Sequence, residues 1–357
     1  MSKDVCFVAT QIYPDFVGGA EVFNYYLIGH LSEKNKVSYI TLSKNYIIGA
    51  KKYQLKSQRN FKQYFEIFKK IIYSPKDRVF VVSFMKTKWY YIIMYPLLNV
   101  FLNKKYVIII HGGGMMQWKW KFPFKLFFKK AKAIFGVSQT ICQEYNKRTD
   151  LTIQYLPPLI PFVLSTKDKP ALREEYKIAK DSKIFLVVGS LKKIKRPMVV
   201  LEALNKIDKA FLKNQKVCVL FAGDGDLKNK MKDFLNQNNL VAYVQLLGNI
   251  PRDKVNEYYK LSDYYIMSSD FEGTPISMLE AMYNKLCIIG SNAKGINNII
   301  NDSNGGFLFN NTNALELSQI MTKVISDEYP EKRENAYHFY NKLFSYTSMV
   351  NKFYSNI

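Results

Sequence analysis

Closely spaced metal-binding residues are missing from this chain. Its four cysteines, Cys6, Cys142, Cys218 and Cys287, lie far apart, and its three histidines, His30, His111 and His338, are scattered. That excludes clamps of the Cys-x-x-Cys kind and any sequence-local histidine cluster. Free buried thiols in a reducing cytoplasm are the expectation. Acidic residues are scarce beside basic ones, 29 against 52, for a net charge of +23. Such an excess concerns partners rather than fold; it suits an anionic membrane surface, nucleic acid or an anionic substrate. Long hydrophobic runs are also lacking. The longest, Trp89 to Leu102, is too short to span a bilayer, contains Pro96 and Asn99, and is bracketed by lysines. No leader pattern opens the chain, since residues 1 to 10 run straight into a strand. Neither an internal repeat nor a low-complexity tract is present.

What is there is the composition of a globular protein, 48% hydrophobic and 23% charged over 357 residues, enough for about two domains. Apolar runs of strand length alternate with longer helical stretches. The strands are expected near Val5–Thr10, Val37–Thr41, Val79–Phe84, Tyr106–His111 and Ala133–Val137. A second set follows near Ile184–Gly189, Val217–Gly223, Val244–Leu247, Tyr264–Ser268 and Cys287–Ser291. Continuous Val/Ile runs without strict alternation suit strands buried on both faces of a parallel sheet. Each half therefore reads as a doubly wound, Rossmann-like α/β domain. Pro157 to Pro170, with four prolines and no periodicity, reads as the linker. The expected organisation is a first domain over 1–160, a second over 171–334, and a helical, aromatic tail over 335–357. The cleft between two such domains is the default site.

Six segments carry candidate chemistry. Glu272 and Glu280 stand eight positions apart in Phe271-Glu272-Gly273-Thr274-Pro275-Ile276-Ser277-Met278-Leu279-Glu280. Thr274 is the expected N-cap and Pro275 the first helical residue. That leaves Glu272 in the loop at the helix mouth and Glu280 about two turns in, among apolar neighbours. A buried carboxylate needs a partner, and a hydroxyl-rich ligand would serve. The helix N-terminus beside it would suit a phosphate. Gly18-Gly19-Ala20-Glu21 opens a helix after the first strand, where glycine amides can approach an anion or simply make a turn. His111-Gly112-Gly113-Gly114 ends a buried strand. An esterase oxyanion motif looks similar but needs a Gly-x-Ser-x-Gly elbow, and Gly136-Val137-Ser138-Gln139-Thr140 lacks the last glycine. Gly189-Ser190-Leu191-Lys192-Lys193-Ile194-Lys195-Arg196-Pro197 puts four cations after a strand; the ordinary reading of such a run is a solvated basic loop. Ala222-Gly223-Asp224-Gly225 and Leu247-Gly248-Asn249-Ile250-Pro251 are further strand-end loops.

In order and spacing these segments resemble the retaining, nucleotide-sugar-dependent glycosyltransferases of the GT-B fold, in particular family 4. The likeness is strong over residues 184 to 309 and looser before that. Glu272 and Glu280 match its Glu-x7-Glu signature, and Gly18-Gly19-Ala20-Glu21 matches its N-terminal Gly-Gly-Ala-Glu. The resemblance implies that Glu272 contacts the donor sugar and Glu280 the ribose, with His111 bonding the sugar from the first domain. Lys195 falls on the family lysine at the diphosphate. Gly18, Gly19, Gly273, Thr274, Pro275 and Ile276 would line the donor, and Asn249 lies in the loop that meets the nucleobase. The sequence departs from the pattern at Ser190, where the family has arginine, and at Ile194, where it has glutamate. Arg196 is the neighbouring cation that could replace the missing one. Lys294 and Asn298 depart from the Gly-Gly-x-Pro-Glu-Ile element, and Ala281-Met282-Tyr283 from Ala-Cys-Gly. The family tail crosses back to the first domain, and no metal is needed.

Trp118 to Lys132 holds six lysines, six aromatics and no acid. Trp118, Trp120, Lys121, Lys125 and Lys129 would lie on an anionic lipid surface or meet the acceptor. A plain helix with one buried aromatic face fits the same pattern, and single-stranded nucleic-acid stacking has no other support in the chain. The expected protein is cytoplasmic and peripheral to the inner face of the cell membrane. It would move a sugar, with a UDP-sugar donor favoured, to a lipid-linked glycan in bacterial surface polysaccharide or glycoconjugate assembly. A sugar-nucleotide-modifying enzyme of related fold, epimerase-like, and a non-catalytic basic membrane-binding module are the alternatives.

Overall fold

A computed structural model describes residues 2–9, 11–15, 19–56, 60–84, 103–111, 128–157 and 165–357. The chain divides into two compact units, one formed by Met1–Leu159 with Tyr346–Ile357, the other by Ile160–Ser345. Gly18, Gly112 to Gly114, Trp118, Trp120, Lys121 and Lys125, the run Trp89 to Leu102 and most of the proline-rich linker lie outside the described residues. Among the described residues no helix is long and apolar enough to cross a membrane.

Among its described residues the first unit carries a seven-stranded sheet in the order β3-β2-β1-β4-β5-β6-β7. These are β1 (Asp4–Val8), β2 (Lys36–Thr41), β3 (Lys51–Gln54), β4 (Val79–Phe84), β5 (Lys105–Ile110), β6 (Ala133–Gly136) and β7 (Gln154–Tyr155). All pairings are parallel. Buried side chains pack on both faces, Phe7, Val81 and Ile109 on one and Cys6, Phe80 and Ile108 on the other, which is why these runs do not alternate with polar residues. β3 and β7 were not legible as strands: Lys-Lys-Tyr-Gln is an edge sequence with little to bury, and β7 spans two residues. The helix Tyr346–Tyr354 completes one face, with Met349, Val350, Phe353 and the terminal Ile357 buried there. Phe353 stacks on Phe7 and leans on Phe135, and Lys3 Nζ donates to the Ile357 carbonyl at 2.6 Å.

Among its described residues the second unit holds six parallel strands in the order β10-β9-β8-β11-β12-β13. They are β8 (Lys183–Val188), β9 (Val217–Ala222), β10 (Val244–Gly248), β11 (Tyr264–Met267), β12 (Cys287–Ser291) and β13 (Gly306–Phe309). Gly306-Phe307-Leu308-Phe309 was too short a run to stand out. The linker ends sooner than its prolines suggested. Asp168 caps the helix Lys169–Glu175 by accepting from the Ala171 N–H, and Pro170 sits in the first turn, where its missing N–H costs nothing.

Both sheets reverse their winding once, between β1 and β4 in the first unit and between β8 and β11 in the second. Connections on either side of that seam leave in opposite directions, so the carboxyl ends of those strands frame a crevice. The strand-end glycines make close packing there possible. Gly223 has φ +153°, and a Cβ on it would lie 1.9 Å from the Gly189 carbonyl oxygen.

Candidate functional site

In the second unit the loops after β8 and β11 meet at the seam. The loop after β8 turns through a short 3₁₀ segment, Lys193–Lys195. Two contacts from the β11 side pin its backbone. Ser268 Oγ donates to the Lys195 carbonyl at 2.8 Å, and the Asp270 N–H donates to the Ile194 carbonyl at 2.9 Å. So held, Lys195 Nζ lies 2.6 Å from Glu272 Oε1, which also accepts from Ser269 Oγ at 2.6 Å. A water-sized hollow of about 20 Å³ is lined by Gly189, Ser190, Lys195, Ser268 and Ser269. Glu272 is held from behind as well. Its N–H donates to the Lys294 carbonyl at 3.1 Å, and Gly295, at φ +91°, packs so closely that a Cβ would lie 2.0 Å from the Glu272 carbonyl oxygen.

Arg196 does not stand free as the replacement cation for Ser190. Its backbone is left-handed at φ 46°, and its Nε bonds Asp270 Oδ1, which also accepts from Asn311 Nδ2 at 2.9 Å. Lys195 and Arg196 thus each face one carboxylate from the β11 loop, while Lys192 and Lys193 remain exposed. The cluster keeps a positive excess, which suits an arriving diphosphate.

The helix carrying Glu280 runs Ile276–Tyr283, one residue later than expected. Pro275 takes the cap position with φ −79° and ψ 74°, and no side-chain oxygen caps the helix. Glu280 is the fifth helical residue, little more than one turn in rather than two. It is 5% exposed, and the fold itself supplies its partners. Arg252 Nη2 donates to Oε1 at 2.9 Å and Tyr259 Oη to Oε2 at 2.9 Å. Both donors come from the helix Arg252–Leu261, which follows the Asn249 loop. Burial pushes the Glu280 carboxyl upward, against the pull of Arg252 and Tyr259. The hydroxyl of Tyr265 feels both Glu272 and Glu280 and is raised chiefly by its own burial; it donates to Ser277 Oγ at 2.7 Å. The two acids are therefore electrostatic neighbours of one residue.

His111 follows β5 in the first unit and is half-buried. Its Nε2 lies 2.8 Å from Ser83 Oγ on β4, and Ser83 accepts from Asn24 Nδ2 at 2.8 Å. Phe23 sets its ring edge-on to the imidazole with centroids 5.1 Å apart. Burial pushes the imidazole down to about 3 from its ordinary 6.5. A folded ring that resists protonation stabilises the protein fully above 6.5, and that contribution is lost as pH falls toward 3. We expect the stability difference, wild type minus His111→Gln, to rise with pH between about 4 and 6.5, by no more than about 1.4 kcal/mol per unit. Urea denaturation at several pH values measures it.

Gly19 begins the helix Gly19–Ser32 after β1. Lys129, placed by sequence on the lipid or acceptor surface, is half-exposed and pairs with Asp150 at 2.9 Å, while the adjacent Phe128 is buried in the core. The four cysteines are free, and burial pushes each thiol up to about 11, so none is a ready nucleophile at neutral pH. Sequence reasoning passed over Ser269, Asp270, Arg252, Tyr259, Asn24 and Ser83. The two serines and Asp270 sit at ends of expected strands, the one signal that could have marked them.

Residues 168–340 match the family model described as glycosyl transferases group 1. It is 30% identical over 152 residues to the UDP-Gal:alpha-D-GlcNAc-diphosphoundecaprenol alpha-1,3-galactosyltransferase of Escherichia coli, a stretch covering 42% of this chain and 38% of that protein. It is 24% identical over 215 residues to an uncharacterized glycosyltransferase of Methanocaldococcus jannaschii, covering 57% of this chain and 52% of that one. The chain thus matches about half or less of the length of these curated relatives. Its fold is similar to that of the Anabaena protein HepE, solved in complex with UDP, with a TM-score of 0.76 at 14% identity over 99% of this chain and 98% of the other. The fold is GT-B, with two doubly wound domains.

Proposed function

We propose that this protein is a retaining glycosyltransferase that moves a sugar from a nucleoside diphosphate donor, a UDP-sugar, to a lipid-linked glycan in bacterial surface polysaccharide or glycoconjugate assembly. The observation that carries the reading is the Lys195–Glu272 pair at the winding reversal of the second unit, where open α/β sheets bind ligands. The ammonium takes up diphosphate charge as the leaving group departs, a role in which fixed charge stabilises the transition state most. Glu272, held by Ser269 and by the backbone at Lys294, orients sugar hydroxyls. Glu280 keeps lone pairs beyond those given to Arg252 and Tyr259, and accepts from the ribose. His111 bonds a substrate oxygen. The departing phosphate itself takes the acceptor proton. With lysine carrying the charge, no metal is required.

The lipid-linked acceptor is supported by the diphosphoundecaprenol-linked substrate for which the Escherichia coli relative is named, and a membrane-surface location by the +23 charge and the Trp118 to Lys132 stretch. The test is release of nucleoside diphosphate with and without acceptor. Release only with acceptor present, undiminished by EDTA, separates a transferase from an epimerase-like enzyme and from a non-catalytic membrane module. Acceptor-independent conversion of the nucleotide sugar overturns the reading. Binding to anionic vesicles should weaken steeply between low and physiological salt; salt-insensitive binding removes the electrostatic membrane component.

A further inference from the structure

We propose that Asn24, acting through Ser83, positions His111 in the neutral tautomer protonated on Nδ1, so that the ring offers substrate a hydrogen-bond donor and not an acceptor. The inference rests on the reading of His111 as a substrate-contacting residue. Three elements at the winding reversal of the first unit supply the parts: Asn24 from the helix after β1, Ser83 from β4, and His111 after β5.

The proposed direction of the chain rests on donor counting. Asn24 is fully buried, and its amide NH₂ donates to Ser83 Oγ. A serine hydroxyl has one proton to give. With its oxygen accepting from Asn24, that proton is free to reach His111 Nε2, 2.8 Å away. Nε2 is then the acceptor, and the single proton of a neutral imidazole sits on Nδ1. In the reverse arrangement His111 Nε2–H donates to Ser83, which then passes its proton to Oδ1 of a turned-over Asn24 amide or, accepting from both neighbours on its two lone pairs, gives it to neither. The amide decides whether Ser83 accepts from Asn24 or donates to it. Its Oδ1 is buried without a hydrogen-bond partner, a cost the fold carries while the NH₂ faces Ser83. Phe23, next to Asn24 on the same helix, holds the ring plane from the side. Asn24 and Ser83 are positioning residues, for they act through the imidazole.

Nitrogen-15 NMR of the imidazoles tests this, because three histidines are readily assigned with His111→Gln as the reference. The expected wild-type pattern at neutral pH is a protonated Nδ1 and a bare Nε2 at His111. Asn24→Asp supplies an oxygen that can only accept. It should reverse the chain and move the proton to Nε2. Ser83→Ala should release the ring to a mixture of tautomers, and Ser83→Thr, which keeps the hydroxyl, should restore the wild-type pattern. Both disruptive variants should lose roughly tenfold in kcat/KM, the worth of one well-placed hydrogen bond, with unfolding followed to confirm that each stays folded. A wild-type ring protonated on Nε2, or a tautomer unmoved by Asn24→Asp, overturns the proposal. Tautomers that shift as described while turnover stays at the wild-type level overturn the positioning role, and do so without touching the assignment of Lys195 and Glu272.

Discussion

Lys195→Ala should lower kcat/KM by about 10²- to 10³-fold, the scale of losing one preorganised charge at a developing anion. The fall should sit mainly in kcat, since the diphosphate gains its leaving-group charge in the transition state. Stability should change little, by about 1 kcal/mol or less, because the ammonium is partly open to solvent. Glu272→Ala should show a comparable loss, with more of it in KM if the carboxylate orients the bound sugar in the ground state as well. Lys195→Arg should not rescue, since a planar fork cannot occupy the place of a compact ammonium bonded to one carboxylate oxygen. Initial rates of nucleoside diphosphate release, with acceptor saturating, measure all three.

The second large effect is expected at a residue that contacts no ligand. Gly295→Ala places a methyl 2.0 Å from the Glu272 carbonyl oxygen, and that atom is backbone and cannot swing aside. It also forces a side chain onto φ +91°. Strain and displacement together should cost about 2–4 kcal/mol in urea denaturation. The displaced loop breaks the bond from the Glu272 N–H to the Lys294 carbonyl, so kcat/KM should fall by about 10²-fold. Gly273→Ala is the control. A Cβ there meets nothing within 4 Å, and its effect on stability should be small. Equal behaviour of the two variants would mean that the Glu272 loop is not held from Gly295.

Much of this was legible beforehand because buried parallel strands write themselves as unbroken apolar runs. Tyr106 to Ile110 and Cys287 to Ser291 could hardly be anything else. The strands that escaped bury little or are too short, as Lys51–Gln54 and Gly306–Phe309 show. Glu272 and Lys195 could be marked from sequence as separate residues of one expected site, but their 2.6 Å contact depends on Ser268 and Asp270 pinning the facing loop, and pairings across a sheet leave no local trace. Glu280 shows the same limit. A buried acid demands a partner, yet nothing in its own segment says that the partner is Arg252 and Tyr259 rather than a ligand. The helix start was misplaced by one residue because Thr274-Pro275 is a good cap pair in isolation, whereas here Pro275 is buried at the cap itself.

The most direct test of the central claim is calorimetric titration of UDP into wild type and Lys195→Ala. Binding to wild type, matched by a rise in melting temperature at excess ligand, with at least about tenfold weaker binding to the variant, is the predicted result. Equal affinity for both proteins would contradict the placement of the diphosphate at the Lys195–Glu272 pair.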